Sequence, residues 1–326
     1  MKILVIRLGA MGDLIHVSPS LSHLKNQQPD IQIDFLTSPL YEELAGCFTG
    51  VSHVHTWDKS WQSLFALGKQ LDKQHYDTVI NLHPSFKTWA LVQLINPKQQ
   101  AVYKKEKLAV TGQAQRGMER RHAVRDFYEP FKTSFPLEEN PVLLPHLPLA
   151  DIQANTQTES NCIGIIPGVG GKRGNRAWLP EHYKTLIEKI LADKPGTRII
   201  LFGGPDETAL ADQLAAINPQ RIENTCGKGS IVETAQRMKR CSVIIGGDTG
   251  PLHLAAAVAV PIIQLFGPTS VQRTGAISTA PVTTLTPNNA LDCWPCELPT
   301  CPLTGNDNLA CMKQITVETV LQTLIC

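Results

Sequence analysis

The octet Gly246-Gly247-Asp248-Thr249-Gly250-Pro251-Leu252-His253 follows an apolar run at 241–245 and precedes Leu254-Ala255-Ala256-Ala257-Val258. That order reads as strand, tight glycine turn and helix start. Glycine lets a backbone turn sharply and approach a ligand closely. Proline suits the first helical turn, where no N–H is needed. The unpaired N–H groups of such a turn, with the helix dipole behind them, favour a phosphate. Thr249 and His253 stand four apart, a spacing that sets both on one side of a helix. A hydroxyl, an imidazole and several N–H donors would then converge on one anion, the chemistry a nucleotide diphosphate needs. In the plainer alternative, Asp248 or Thr249 only caps the helix.

A second glycine turn, Leu8-Gly9-Ala10-Met11-Gly12-Asp13, follows the first apolar run. The third glycine of a dinucleotide fingerprint is missing, and a carboxylate there would repel a bound phosphate. Asp13 therefore reads as a helix cap or as a general base at a cleft. A third turn, residues 167–178, carries four glycines with Lys172, Arg173 and Arg176. A flexible basic loop at a strand end suits an anionic leaving group, or is simply solvated. Asp206, in Gly203-Gly204-Pro205-Asp206-Glu207, either binds ribose hydroxyls, as acids do in other nucleotide folds, or caps a helix. His83, in Asn81-Leu82-His83-Pro84, either faces a cleft or packs.

Residues 98–125 hold Lys98, Lys104, Lys105, Lys107, Arg116, Arg120, Arg121 and Arg125 against Glu106 and Glu119. Most charge runs are solvated surface. This excess, in a chain of net charge +1, suggests an anionic partner such as an acidic sugar, a phosphorylated lipid or a membrane face. Cys293-Trp294-Pro295-Cys296, then Cys301 and Cys311, form a cysteine cluster. The first pair has metal-site spacing, and four thiolates would hold structural zinc or an iron–sulfur cluster. The later spacings follow no standard pattern, and free or reversibly oxidised thiols remain the alternative.

The elements that position these residues alternate. Strand-like runs at 3–8, 31–36, 51–56 and 78–82 interleave with helix-like segments at 14–24, 40–47, 60–71 and 87–95. In the second half, runs at 162–166, 198–202, 241–245 and 261–265 interleave with helices at 181–192, 207–216, 232–239 and 252–259. Such alternation implies parallel sheets covered on both faces. Four prolines and a polar run mark 136–161 as a linker. The expectation is two doubly wound α/β domains, 1–150 and 161–311, with ligands at the carboxyl ends of their strands. Residues 312–325 have the apolar spacing of an amphipathic helix.

A length of 326 residues fits about two domains, and 42% hydrophobic residues suit a globular core. The near-neutral charge gives no global pointer to nucleic acid. The opening apolar run is too short for a signal peptide, and no stretch approaches the ~20 apolar residues of a membrane span. The expected compartment is the cytosol, where nine cysteines read as thiols or metal ligands before disulfides.

Taken together these residues resemble the heptosyltransferases of glycosyltransferase family 9, which assemble the inner core of bacterial lipopolysaccharide. The resemblance rests on Met1-Lys2-Ile3-Leu4-Val5-Ile6 with Met11-Gly12-Asp13, on Asp248-Thr249-Gly250-Pro251-Leu252-His253, on Phe266-Gly267-Pro268-Thr269, and on Cys311-Met312-Lys313-Gln314-Ile315-Thr316-Val317-Glu318. It implies a GT-B fold: two Rossmann-like domains, acceptor on the first, nucleotide sugar on the second, the active site in the cleft between them, and helix 312–326 returning to the first. The implied donor is ADP-L-glycero-β-D-manno-heptose. The implied acceptor is Kdo-containing lipid A or a partly built core, met at the inner leaflet by a peripheral cytoplasmic enzyme.

By the same resemblance Asp13 is the base and transfer is inverting. Arg176, where the family often has lysine, contacts the donor phosphates; the exchange keeps the charge but alters the geometry. Asp206 lies near the ribose, Thr249, Gly250 and His253 hold the diphosphate, and Asp248 binds heptose hydroxyls. Arg116, Arg120 and Arg121, in the basic stretch, meet the anionic acceptor. No cofactor or catalytic metal is implied, because basic loop and helix dipole neutralise the leaving group. Two rivals stand beside this reading: a transferase or epimerase using another nucleotide sugar, and a non-catalytic nucleotide-sugar-binding protein.

Overall fold

The computed structural model describes residues 1–104, 120–149, 159–288 and 291–325. They divide into two compact units: 1–104 with 121–149, and Arg120 with 159–288 and 291–325.

The first unit runs β1 (Lys2–Ile6), α1 (Met11–Gln27), β2 (Gln32–Thr37), α2 (Glu42–Gly46), β3 (Val51–Thr56), α3 (Trp61–Asp72), β4 (Thr78–Asn81), α4 (Phe86–Ile95), β5 (Gln99–Val102) and α5 (Ala123–Ser134). Its strands pair in parallel in the order β3-β2-β1-β4-β5. The central β1 is buried from Ile3 to Ile6, as a strand covered on both faces must be. Serines set two of the helix starts. The Ser60 hydroxyl accepts from Ser63 N, and Ser85 forms a reciprocal capping box with Thr88.

The second unit runs β6 (Glu159–Ile166), α6 (Pro180–Asp193), β7 (Arg198–Leu201), α7 (Thr208–Ala215), β8 (Ile222–Asn224), α8 (Ile231–Met238), β9 (Cys241–Gly247), α9 (Gly250–Ala257), β10 (Ile262–Leu265), α10 (Val271–Thr274), β11 (Val282–Leu285), α11 (Ala310–Lys313) and α12 (Val317–Ile325). Its sheet, also parallel, has the order β11-β10-β9-β6-β7-β8. In each unit the chain starts in mid-sheet, builds outward on one side, then crosses back. The strand order therefore reverses between β1 and β4, and again between β6 and β9. Open α/β sheets bind ligands beside such reversals, outside the carboxyl ends of the strands.

The terminal segment departs from expectation. It breaks into α11 and α12, with the Thr316 hydroxyl accepting from Thr319 N at 3.2 Å to start the second piece. It groups with the second unit. Met312, Ile315, Val317 and Val320 are buried in the second unit's core with Trp178, Leu186 and Ile190 of the α6 region. Trp178 Nε1 donates to Ile315 O at 2.8 Å, and Lys189 pairs with Glu318 at 2.9 Å. The apolar face read correctly as amphipathic finds its partner within its own unit.

No helix among the described residues is long and apolar enough to cross a membrane.

Candidate active site

At the reversal point of the first unit, β1 gives way to Arg7-Leu8-Gly9-Ala10, and Asp13 stands in the first turn of α1. Arg7 spans the reversal. Its Nη1 donates to Leu82 O just past β4 at 2.5 Å, its Nη2 pairs with Asp13 Oδ2, and its guanidinium lies 5.0 Å from the Phe127 ring centroid. The Arg7 side chain is 10% exposed and that of Asp13 is 39% exposed. A buried cation thus orients a partly exposed carboxylate. Gly9 has φ +136°, a region that disfavours side chains, and a Cβ there would sit 3.1 Å from Tyr41 Cε2. The glycine lets the tyrosine close over the turn. Burial, then the Asp13 charge, pushes the Tyr41 phenol up, against a hydrogen bond with the Met11 backbone.

His83 follows β4 on the same edge. Burial, then the nearby cations Arg7 and Lys59, push its imidazole down to about 4, against the opposing pull of Asp13 and a hydrogen bond with the Gly9 backbone. It is neutral at physiological pH and adds hydrogen-bonding capacity beside Asp13 without adding charge.

The second unit repeats the plan with other residues. Arg176, after β6, reaches across the reversal, and its Nη1 donates to Asp248 Oδ2, after β9, at 2.7 Å. His253 Nε2 lies 3.7 Å from Asp248 Oδ1. Asp248 and His253 are 6% and 5% exposed. Burial pushes the Asp248 carboxyl up, but its hydrogen bond with His253 and the Arg176 charge outweigh this, so the group lies below its ordinary value. Thr249 occupies the N-cap position of α9 and makes no side-chain cap bond, which sets the capping alternative aside for that residue. Gly247 brings two segments together: a Cβ there would sit 2.9 Å from Arg176 O.

Asp206 is exposed. Its neighbour Glu207 does the local tying, its two carboxylate oxygens accepting from Gly170 N and Gly204 N at 2.8 Å each. The two glycine loops of this unit are therefore joined by a carboxylate that sequence reading passed over.

Of the three arginines expected to meet an acceptor, Arg116 lies outside the described residues. Arg120 Nη1 pairs with Glu297 Oε1 at 2.8 Å. Arg121 pairs with buried Asp126 at 2.5 Å and with Glu129 at 3.5 Å. Arg121, Lys104 and Glu129 also line a groove of about 710 Å³ along β5. Cys293, Cys296, Cys301 and Cys311 do gather on one small cavity. Burial, then the other three thiols, pushes Cys311 up to about 12. Among the described residues, however, no group of three or more His, Cys, Asp or Glu is placed to hold a metal ion. Of the two alternatives left open for this cluster, metal or thiols, the described residues show four neighbouring thiols and no ligand set.

With this geometry in view, similarity to known proteins becomes informative. The family model described as Glycosyltransferase family 9 (heptosyltransferase) matches residues 64–303. The chain belongs to that family. Lipooligosaccharide heptosyltransferase 2 of Campylobacter jejuni is 23% identical over 337 residues, covering 99% of this chain and 97% of the relative. The structure of E. coli ADP-heptose lps heptosyltransferase II matches with a TM-score of 0.76 at 21% identity, covering 100% of this chain and 98% of that one. E. coli heptosyltransferase WaaC with ADP matches with a TM-score of 0.74 at 22% identity, covering 100% and 99%. The fold is GT-B, with two Rossmann-like α/β domains, and the chain is a glycosyltransferase. In this family 9 member, Arg7 and Glu207 tie the turns together without being marked by any motif: Arg7 lies inside the run at 3–8, and Glu207 stands beside Asp206.

Proposed function

We propose that this family 9 enzyme is an inverting heptosyltransferase of the lipopolysaccharide or lipooligosaccharide inner core. It moves L-glycero-D-manno-heptose from ADP-heptose to a hydroxyl of Kdo or heptose. The observation that carries the reading is the pairing of family membership with a reachable, arginine-oriented carboxylate, Asp13, at the β1 reversal. Asp13 accepts the acceptor hydroxyl's proton. The freed oxygen forms a bond to the anomeric carbon as the bond to ADP breaks, and ADP leaves with that electron pair. A positioned base contributes about 10²–10⁴ in rate.

Arg176, the Thr249–Gly250 turn and His253 meet the diphosphate, where fixed donors stabilise developing charge without metal. Asp248, held by Arg176 at 2.7 Å, orients that arginine as well as facing the heptose hydroxyls. Asp206 is assigned to the ribose. Anionic groups of the acceptor compete with Glu297 and Glu129 for Arg120 and Arg121. The enzyme works on the cytoplasmic side, at the inner leaflet, where such an acceptor is anchored.

The test is incubation with ADP-heptose and Kdo₂-lipid A followed by mass spectrometry. A gain of one heptose, with the new linkage inverted by NMR, is expected. Transfer only from UDP-sugars would replace the donor assignment. Tight ADP-heptose binding without transfer to any core acceptor would leave a binding protein.

A further inference from the structure

Soluble proteins rarely leave several large aromatic side chains together in water, and such patches mark contact surfaces. The first unit carries one. Trp61, Phe65, Phe86 and Trp89 are 48%, 62%, 71% and 54% exposed. Trp61 and Phe65 are four apart in the first turns of α3, and Phe86 and Trp89 three apart at the start of α4, so each pair shares a helix face. The two pairs meet. The Trp61 and Phe86 rings are 5.9 Å apart, and Phe86 stacks on Trp89 at 5.7 Å. The patch is a continuous ridge above the carboxyl ends of β3 and β4, on the same sheet edge as Asp13 and His83.

Three lysines flank the ridge. Lys87 Nζ lies 5.2 Å over the Trp61 ring and donates to Lys59 O at 2.6 Å. Lys69, exposed, follows Phe65 by one helical turn. Two exposed acids lie in the same stretch: Asp58, which accepts from Ser60 N and the Ser63 hydroxyl at 2.9 and 2.7 Å, and Asp72 at the far end of α3. Tryptophan and phenylalanine backed by lysine are the composition of a membrane interface, where rings sit at headgroup depth and ammonium groups meet anionic lipid.

We propose that this ridge is the surface by which the enzyme docks on an anionic phospholipid bilayer, with Trp61, Phe65, Phe86 and Trp89 entering the headgroup layer and Lys59, Lys69 and Lys87 facing its phosphates. The proposal deepens the function reading above by naming the lipid-facing surface. It rests on that reading only for the idea that the acceptor is lipid-borne. Docking here holds the Asp13 edge of the sheet toward the bilayer, so that a sugar projecting from the lipid surface reaches the base without leaving the membrane.

The experiment is co-sedimentation of the full chain with vesicles of phosphatidylcholine alone and of phosphatidylcholine with phosphatidylglycerol. Wild type is expected to partition onto the anionic vesicles, with a blue shift in tryptophan emission from Trp61 and Trp89. The triple variant W61S/F86S/W89S should lose at least about 10-fold in partitioning. Lys69→Gln should lose about 5-fold, on anionic vesicles only. All four substitutions are at exposed positions, and unchanged thermal melting controls for folding. With an acyl-free acceptor the triple variant should turn over like wild type, and with vesicle-embedded acceptor more slowly. Absence of wild-type binding, equal binding by the triple variant, or loss of a dimer rather than of vesicle binding would overturn the proposal. Vesicle binding with no heptosyl transfer would leave the docking surface standing and remove the function reading instead.

Discussion

Arg176 and Asp248 stand 72 residues apart in the chain, yet Arg176 Nη1 donates to Asp248 Oδ2 at 2.7 Å. The bond links the end of β6 to the end of β9 across the point where the strand order reverses. Breaking a buried ion pair by removing one partner costs about 3–5 kcal/mol, because the other charge stays behind. Arg176→Ala should therefore lower thermal stability as well as weaken ADP binding. Arg176→Lys should restore much of the stability and less of the affinity, since an ammonium lacks the planar fork. Melting curves with and without ADP, and calorimetric titration, check both. Asp248 adds a pH signature. Its folded value lies below the ordinary carboxylate value, so its contribution is present above about pH 4 and is lost as pH falls through the folded value. Asp248→Asn should flatten that part of the stability profile.

Asp13 is the side chain on which turnover should depend. Asp13→Asn keeps the shape and removes the proton acceptor, so kcat should fall by at least about 10²-fold while donor affinity stays unchanged. Arg7→Lys should also lower kcat, by less, because Arg7 acts through its pairing with Asp13. Steady-state kinetics with direct ADP titration separate the two effects. Full activity in Asp13→Asn would remove the base from the mechanism.

His83 should titrate far from the usual histidine range. Its imidazole is pushed down from 6.5 to about 4. Between those values the unfolded chain binds a proton that the folded chain does not. Stability should therefore decline as pH falls from about 6.5 to about 4 and then level, as far as this group is concerned. NMR of the imidazole should place its midpoint near 4, and His83→Gln should lose that portion of the pH slope. A midpoint near 6.5 would mean that neither burial nor the charges of Arg7 and Lys59 act on it.

Gly247→Ala tests the close approach behind the Thr249–Gly250 turn, the proposed diphosphate site. A Cβ would meet Arg176 O at 2.9 Å, and a carbonyl oxygen of the main chain has no rotamer by which to yield. The loop must shift, taking the Arg176 side chain with it. ADP affinity should fall about 10-fold or more, through a misplacement of under an ångström, while the core of the unit stays folded by circular dichroism.

The legible parts of this protein were those encoded locally. The alternation of apolar runs and helix starts marks β1 to β4 and β6, β7, β9 and β10, because each is a buried hydrophobic run closed by a turn. Three edge strands escape notice. Gln99-Gln100-Ala101-Val102 is mostly polar, Ile222-Glu223-Asn224 is very short, and Val282-Thr283-Thr284-Leu285 shows no continuous apolar run. An edge strand has less to bury and so leaves a fainter pattern. Helix α5 carries Pro130 and begins where the charged stretch 98–125 ends, in residues that no apolar run or turn signal marks. The glycine turns were visible as turns. What they hold was not, because Arg7 with Leu82, Arg176 with Asp248 and Glu207 with Gly170 are pairings across 37 to 75 residues, fixed by topology rather than by spacing.

The place of Ile315, Val317 and Val320 in the second unit's interior also bears on synthesis. The first unit uses nothing beyond residue 149, so its interior can assemble while the ribosome is still translating the remainder. The second unit takes an apolar wedge from α12, the element that follows all of its strands. That half of the molecule closes its interior only once α12 has been made, with Trp178 waiting for the Ile315 carbonyl until then.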